Sequence, residues 1–377
     1  MAKFELVATS AFGIESIVAK ELKELGFYNL KVENGKVTYI SDEKGICLSN
    51  LWLRCADRVY IKIGEFKAKT FEDLFQQTKA LPWSHYLPED ANFPVSDAKS
   101  VKSQLFSLSD IQSIVKKAVV ESMKETYYKD WFKETGSKYP IHVSILKDVV
   151  TILIDTSGNA LHKRGYREIG SKAPLKETLA AALIKISNWK ANAPLIDPFC
   201  GSGTIPIEAA LLGMNIAPGL SRHFISEDWD IISKDTWKHT KKEAYEAIDY
   251  EKELHIFGYD IDGKVISIAR KNAEIAGVDD CIHFQKQPLS ELRTKMKNGF
   301  IICNPPYGER LEESETIRQL YSEMGRIYKK LNSWSYFIIT SYDEFEKCFG
   351  KKSNKNRKLY NGRIKCYYYQ YFNSFNK

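Results

Sequence analysis

Leu195-Ile196-Asp197-Pro198-Phe199-Cys200-Gly201-Ser202-Gly203-Thr204 carries the chain from the end of an apolar strand, through a tight turn, into the start of a helix. Two glycines one residue apart permit a bend that residues with a Cβ adopt only at a cost. The helix that follows is expected over 204–212. The alternation then repeats: a strand at 255–259, a helix at 263–276 with Val265, Ile266 and Ala269 facing inward, and strands at 282–285, 300–303 and 336–340. Strands separated by helical stretches cannot pair as hairpins and are expected to lie parallel. Residues 175–377 therefore read as an α/β domain built on an open, doubly wound, mostly parallel sheet. The aromatic run 367–372 is expected as an edge or inserted antiparallel strand.

The upstream half has a different rhythm. A strand at 4–9 leads to a helix from Gly13 to about 25, with Ile14, Ile17, Val18 and Leu22 on one face. Asn34-Gly35, between runs 31–33 and 36–40, is a strong hairpin signal. A helix near 46–55 and a strand at 59–64 complete a ferredoxin-like α+β unit over 1–64. A second α+β unit is expected over 65–155. Its helix at 70–80 is stopped by Leu81-Pro82-Trp83. Its helix at 111–127 is capped by Asp110, with Ile114, Val115, Ala118 and Val119 at helical spacing. Runs 141–146 and 149–155 alternate about Lys147-Asp148 as a hairpin. Residues 156–174 read as a linker.

With 377 residues the chain is too long for a single ordinary core. It has no apolar run long enough to span a membrane, and Met1-Ala2-Lys3-Phe4-Glu5 does not begin a secretory signal. The seven cysteines form no CxxC pair and the seven histidines no HxxxH pair. No disulfide framework or metal site is expected, and a reducing cytoplasmic setting fits. The net charge of +7 is modest, but it is unevenly spread. Lys351, Lys352, Lys355, Arg357 and Lys358 crowd one segment, expected at the tip of a hairpin before the last strand. Lys163, Arg164, Arg167, Lys172 and Lys176 crowd another, against the single acid Glu168. Such runs are often only solvated surface; between chemical motifs they become candidate polyanion contacts.

Three motifs carry that chemistry. The glycine turn presents unpaired helix N–H groups to an anionic group, either a phosphate or an amino-acid carboxylate. It lacks the lysine of a Walker loop, and Pro206 stands where a dinucleotide fingerprint needs a third glycine. Phe257-Gly258-Tyr259-Asp260-Ile261-Asp262 ends the next strand, where an acid holds a ribose diol in doubly wound folds. Asp260 takes that role; Asp262 ranks second because it can equally cap the following helix. Asn304-Pro305-Pro306-Tyr307 ends the strand 300–303. An exocyclic amine on a base is a poor nucleophile, since its lone pair is delocalised into the ring. The Asn304 side-chain oxygen and the Pro305 carbonyl can accept its N–H bonds and aim the lone pair at a methyl donor. Proline stiffens the loop and brings no competing N–H, and Tyr307 can stack on the base for about 1–3 kcal/mol.

The order DPFCGSGT (197–204), GYDID (258–262) and NPPYGER (304–310) resembles class I S-adenosylmethionine-dependent amino methyltransferases. More narrowly, the chain resembles the bacterial THUMP-domain guanine-N2 methyltransferases of large-subunit ribosomal RNA. The resemblance extends through VKSQLFS (101–107), DIQSIVKKA (110–118), LHKRGYR (161–167), APLKETLA (173–180), APGLSR (217–222) and EDW (227–229). It implies a Rossmann-like, seven-stranded methyltransferase domain preceded by a ferredoxin-like unit and an RNA-binding THUMP domain. It implies that S-adenosylmethionine is held by Gly201, Ser202, Gly203 and Asp260, with Lys176, Glu177 and Thr178 near its methionine end. The wider cofactor shell takes in Asp197, Phe199, Cys200, Thr204, Ile261, Asp262, Gln287 and Asn304. Gln287 stands where many relatives carry an acid for the adenine amino group; it can accept the same hydrogen bond. Asn304, Pro305, Pro306 and Tyr307 are expected to form the amine-methylation site. RNA contacts are expected from Lys99, Lys102, Lys116, Lys117, Lys163, Arg164, Arg167, Lys351, Lys352, Lys355, Arg357 and Lys358.

Two other functions compete. NPPY also serves adenine-N6 methylation of DNA, against which the front half shows no helix-turn-helix or zinc-finger signature. A non-catalytic RNA-binding or ribosome-assembly protein would not need Asn304, Gly201, Gly203 and Asp260 intact.

Overall fold

Strand β4 (Arg58–Lys67) holds the N-terminal half together. In the computed structural model, which describes residues 3–167, 175–307 and 314–373, this half also contains β1 (Phe4–Thr9), α1 (Glu15–Glu24), β2 (Lys31–Glu33), β3 (Lys36–Ser41) and α2 (Glu43–Trp52). After β4 come α3 (Phe71–Lys79), β5 (Val95–Val101), α4 (Leu108–Tyr127), β6 (Ile141–Leu146) and β7 (Val149–Asp155). The strands form one seven-stranded sheet in the order β2-β3-β1-β4-β7-β6-β5. On one edge β4 pairs antiparallel with β1 (Leu6 opposite Ile61), and on the other with β7 (Tyr60 opposite Asp155). The boundary expected between residues 64 and 65 therefore falls inside a strand, not in a linker.

Two other expectations are corrected here. Helix α4 starts at Leu108, with Ser107 at its N-cap making no side-chain cap bond, so Asp110 lies in the first turn instead of capping it. Strand β5 was not foreseen. Its sequence, Val-Ser-Asp-Ala-Lys-Ser-Val, buries only Ala98 completely, so it lacks the apolar alternation that marks a strand.

The C-terminal half contains α5 (Glu177–Ser187), β8 (Leu195–Asp197), α6 (Thr204–Gly213), α7 (Lys234–Glu246), β9 (Ile256–Asp260), α8 (Gly263–Ala276), β10 (Ile282–Lys286) and β11 (Phe300–Cys303). It ends with α9 (Ser314–Tyr328), β12 (Ser335–Thr340), α10 (Phe345–Phe349), β13 (Lys355–Asn361) and β14 (Ile364–Tyr371). Its sheet runs β10-β9-β8-β11-β12-β14-β13. Strands β8 to β12 are parallel, and β14 enters antiparallel to both β12 and β13. The chain moves outward from β8 to β10, then returns to lay β11 on the other side of β8. The carboxyl ends of β8 and β11 thus flank the topological switch point, where doubly wound sheets bind ligands.

The described part of the expected linker, 156–167, anchors itself through buried residues, among them Thr156, Ser157, Leu161, Arg164 and Tyr166. Thr156 and Ser157 are buried against Asn50 of α2. Arg164 is buried with Glu208 of α6 at 3.3 Å and also donates to the Arg54 and Leu161 carbonyls. Trp229 stacks on Tyr139 with ring centroids 4.5 Å apart, and its indole N–H donates to the Lys138 carbonyl. The halves are therefore joined by buried contacts. Lys172, Glu168 and Ala173-Pro174 of the expected linker, and Gly308-Glu309-Arg310 after the NPPY motif, lie outside the described residues.

Candidate active site

The three motifs meet at the switch point. Gly201 has φ +52° and nothing within 4 Å of where a Cβ would stand, so the turn opens toward space a ligand can enter. Gly203 has φ +84° for a different reason: a Cβ there would press on Ala269 and Phe284 at 3.0 Å, so it permits close packing of α6 on α8 and β10. The Gly201 N–H donates to Asp260 Oδ2 and the Asp262 N–H to Oδ1, both at 3.0 Å. The Asp260 carbonyl accepts from the Gln287 N–H at 2.9 Å, and the Tyr259 carbonyl from the Cys200 N–H at 2.9 Å. The ends of β8, β9 and β10 are thereby tied into one rim. Asp262 accepts from the Lys264 N–H at 2.8 Å and caps α8, the bland alternative for that residue.

Asp197 is buried beneath this rim, accepting at Oδ1 from the Phe199 N–H at 3.0 Å. Burial pushes its carboxyl well above the usual carboxylate range; the Phe199 bond opposes this and the nearby Asp260 adds to it. A buried acid in this state suits a cationic ligand group, which would supply the missing counter-charge.

Phe199, Asp260, Ile261, Gln287, Asn304, Pro305, Pro306 and Tyr307 line a single cavity of about 860 Å³. That cavity brings the acidic strand end and the amine-directed motif together. Its remaining wall was not anticipated: Leu289, Thr316, Leu320 and Glu323, with Asn361 and Ile364 from the two ends of the β13–β14 turn. The helix could have been found from sequence, because Ile317, Leu320, Tyr321, Met324, Ile327 and Tyr328 recur at helical spacing. The turn could not, since nothing local says that its Asn361-Gly362 tip returns to the site.

Two tyrosine hydroxyls hold the NPPY loop. Tyr307 donates to Asn304 Oδ1, so its hydroxyl has a partner that a ring-stacking role alone does not require. Tyr321, fully buried on α9, donates to the Pro306 carbonyl at 2.8 Å and lies 2.8 Å from the Thr340 hydroxyl. This leaves the Pro305 carbonyl without a hydrogen-bond donor among the described residues.

The outer cofactor shell is dispersed. Glu177 is buried and paired with Arg167 at 3.3 Å, and Arg167 donates to Thr204 Oγ1 at 2.6 Å. Thr178 reaches Asp57 of the N-terminal half at 3.4 Å. Ser202 is held through its carbonyl by Asn272 at 3.0 Å. Lys176, the exposed N-cap of α5, is the member of that helix start that faces solvent.

The basic residues divide sharply. Lys99, Lys102, Lys117, Lys163, Lys351, Lys352, Lys355 and Lys358 are exposed. Arg164 is corrected: buried and spent on Glu208 and backbone carbonyls, it has no donor to offer a polyanion. Arg167 is likewise committed to Glu177, Thr204 and the Leu175 carbonyl. Lys116 pairs with Glu134 at 2.6 Å over the Phe93 ring. The 351–358 run does not form a hairpin tip either. It leads into edge strand β13, and the turn lies further on, at Gly362. In the segment before α5, burial and then the nearby Lys176 hold His162 down to about 4.

The motifs that meet at this switch-point cleft fit a methyltransferase on a Rossmann-like sheet. The chain belongs to the RMKL-like methyltransferase family, whose domain matches residues 164–370, preceded by an RlmL ferredoxin-like domain at 5–60 and a THUMP domain at 68–155. It is 50% identical over 374 residues, 99% of this chain and 97% of the relative, to the "Putative RNA methyltransferase YpsC" of Bacillus subtilis (strain 168). Two solved structures resemble it over 99% of its length. One, from Listeria monocytogenes str. 4b F2365, is called a "predicted N6-adenine-specific DNA methylase"; it is 51% identical, with 97% of that chain covered and a TM-score of 0.94. The other, SMU.472, "a putative methyltransferase complexed with SAH", is 46% identical, with 99% of that chain covered and a TM-score of 0.95.

Proposed function

We propose that the chain methylates the exocyclic N2 amine of a guanosine in ribosomal RNA, with S-adenosylmethionine as methyl donor. The observation that carries this reading is the single cavity that Asn304, Pro305 and Asp260 all line. The THUMP domain, and the name of the Bacillus relative, support RNA as the substrate. When bound, the donor supplies a methyl group already activated on a sulfonium. The protein therefore has mainly to bind, orient and exclude water. Asn304 Oδ1 and the Pro305 carbonyl accept the two N–H bonds of the amine and turn its lone pair toward the methyl group. Asp260 holds a ribose diol and Asp197 an ammonium group. We further propose that residues 1–64 serve as a ferredoxin-like unit, 65–155 as the RNA-binding THUMP domain, 156–174 as the connector and 175–377 as the catalytic domain.

Methylation of ribosomal RNA from cells lacking this protein, followed by digestion to nucleosides, tests the reading directly. N2-methylguanosine is expected. N6-methyladenosine, or methylation of DNA alone, would favour the activity named for the Listeria relative and overturn the guanosine assignment.

The aspartates give two binding predictions. Asp260→Ala is expected to weaken donor binding by about 1.5–3 kcal/mol, the worth of a charge-assisted hydrogen bond. Asp197 makes binding pH-dependent. In the empty site its protonated form is favoured, whereas a bound ammonium favours the ionised form. Binding therefore releases a proton. Affinity should rise with pH by up to about tenfold per unit until the raised value of the empty site is passed, then level off. Calorimetry in two buffers of different ionisation enthalpy measures the proton directly, and Asp197→Asn should abolish its release. Proton-neutral binding in the unmodified protein would rule out Asp197 as the ammonium's partner.

Tyr321→Phe should slow transfer by about tenfold, the upper range for one neutral hydrogen bond, through loss of the hold on Pro306. Donor affinity, measured by the same titration, should not move.

A further inference from the structure

The basic segment at the start of β13 lies against the N-terminal unit. A cleft of about 500 Å³ separates them, lined by Ile17 and Lys20 of α1, Lys185 of α5, and Lys355 and Arg357 of β13, with no carboxylate among its described lining residues. Arg357 bridges the cleft, donating to Ser16 Oγ at 2.7 Å. Lys185 is answered by Glu21 at 3.2 Å and Glu24 at 3.1 Å. Lys20 and Lys355 have no ion-pair or hydrogen-bond partner among the described residues. With Lys185 matched by acids, the unmatched positive charge is that of Lys20 on α1 and of Lys355 and Arg357 on β13, and it attracts an anion into the cleft. The anion is of a particular kind. The positive charge is spread along a cleft rather than focused on one point, which suits a chain of phosphates better than a single small ion.

We propose that this cleft binds the phosphate backbone of the RNA substrate, so that α1 of the ferredoxin-like domain and β13 of the methyltransferase domain grip the strand together. The proposal rests on RNA being the substrate. Strand β13 runs from Lys355 at the cleft to Asn361 at the active-site cavity. At about 3.3 Å per residue the two ends are about 20 Å apart. The cleft therefore holds phosphates a short way along from the target base, and it assigns the ferredoxin-like domain a direct share in substrate binding.

The test uses the full chain and measures RNA affinity against salt concentration. Removing one lysine that neutralises a phosphate should lower the slope of log affinity against log salt by about one. Lys20→Ala/Lys355→Ala is expected to lower it by about two, with donor affinity and melting temperature unchanged. Lys234→Ala/Lys238→Ala, on exposed positions of α7, removes the same charge elsewhere and should leave the slope as it was. An unchanged slope in the first variant overturns the cleft, as does an equal fall in both variants, which would mean a diffuse charge effect. An unmodified protein with no salt-dependent RNA affinity would overturn the RNA substrate itself, and the cleft with it.

Discussion

Asn304→Ala should cut the rate of methyl transfer by about 10²–10³-fold, the range seen when one preorganised group facing developing charge is removed. Affinities for the donor and for RNA should stay close to those of the unmodified protein. The argument rests on when the interaction matters. The amine is a weak hydrogen-bond donor before reaction. As its nitrogen gains positive charge, its N–H bonds polarise and the oxygens that accept them bind more strongly. An interaction concentrated in the transition state shows in turnover and not in binding. Asn304, Pro305 and Asp260 line the same cavity, so Asn304 stands where reactants would meet. Single-turnover transfer of a tritiated methyl group, with binding titrations alongside, measures both quantities. Near-normal turnover in this variant would overturn the placement of the amine at Asn304, and no transfer by the unmodified protein would leave the non-catalytic RNA-binding alternative as the better account. Tyr307→Phe keeps the ring but frees Asn304 Oδ1 from the hydroxyl that holds it. It should therefore fall between the unmodified protein and Asn304→Ala.

The largest expected effect on stability lies away from the cavity. Arg164→Ala should destabilise the fold by about 3–5 kcal/mol, because it strands the Glu208 carboxylate where no water reaches it. Both side chains are almost wholly buried, at 3% and 0% exposure. The guanidinium also serves two carbonyls, of Leu161 and Arg54, so it joins the connector, the N-terminal half and α6 at one point. Arg164→Met/Glu208→Leu should recover part of the stability, since no lone charge remains. Chemical denaturation of the single and double variants checks this. If Arg164 contacted RNA instead, its variants would change the salt dependence of RNA binding and leave the denaturation midpoint in place.

Arg164 also shows where sequence reasoning fails. In the sequence it sits in a basic cluster with Lys163 and Arg167, and nothing local separates the three. The fold does: Lys163 faces water, while Arg164 and Arg167 each meet an acid brought from elsewhere in the chain, Glu208 and Glu177. Pairings over such separations leave no trace in composition. The meeting of the glycine turn, Asp260 and Asn304 was legible because each stands at the end of a strand in one alternating β/α sheet. The far wall of the cavity was legible only in part. Helix α9 carries a clear apolar period, whereas Asn361 and Ile364 reach the site through an antiparallel pair, β13–β14, whose register depends on the whole sheet. Strand β5 was missed because its polar residues pair beside β6 at a sheet edge, where little burial is required.

The position of β4 has a mechanical meaning. The strand pairs with β1 over Arg58–Ile61 and with β7 over Tyr60–Lys67, so the units it carries share one continuous sheet, closer to a beam than to two beads on a string. A beam fixes lengths. The β5 and β2 ends of this sheet sit a set distance apart, and a ligand that touched both would have to match it.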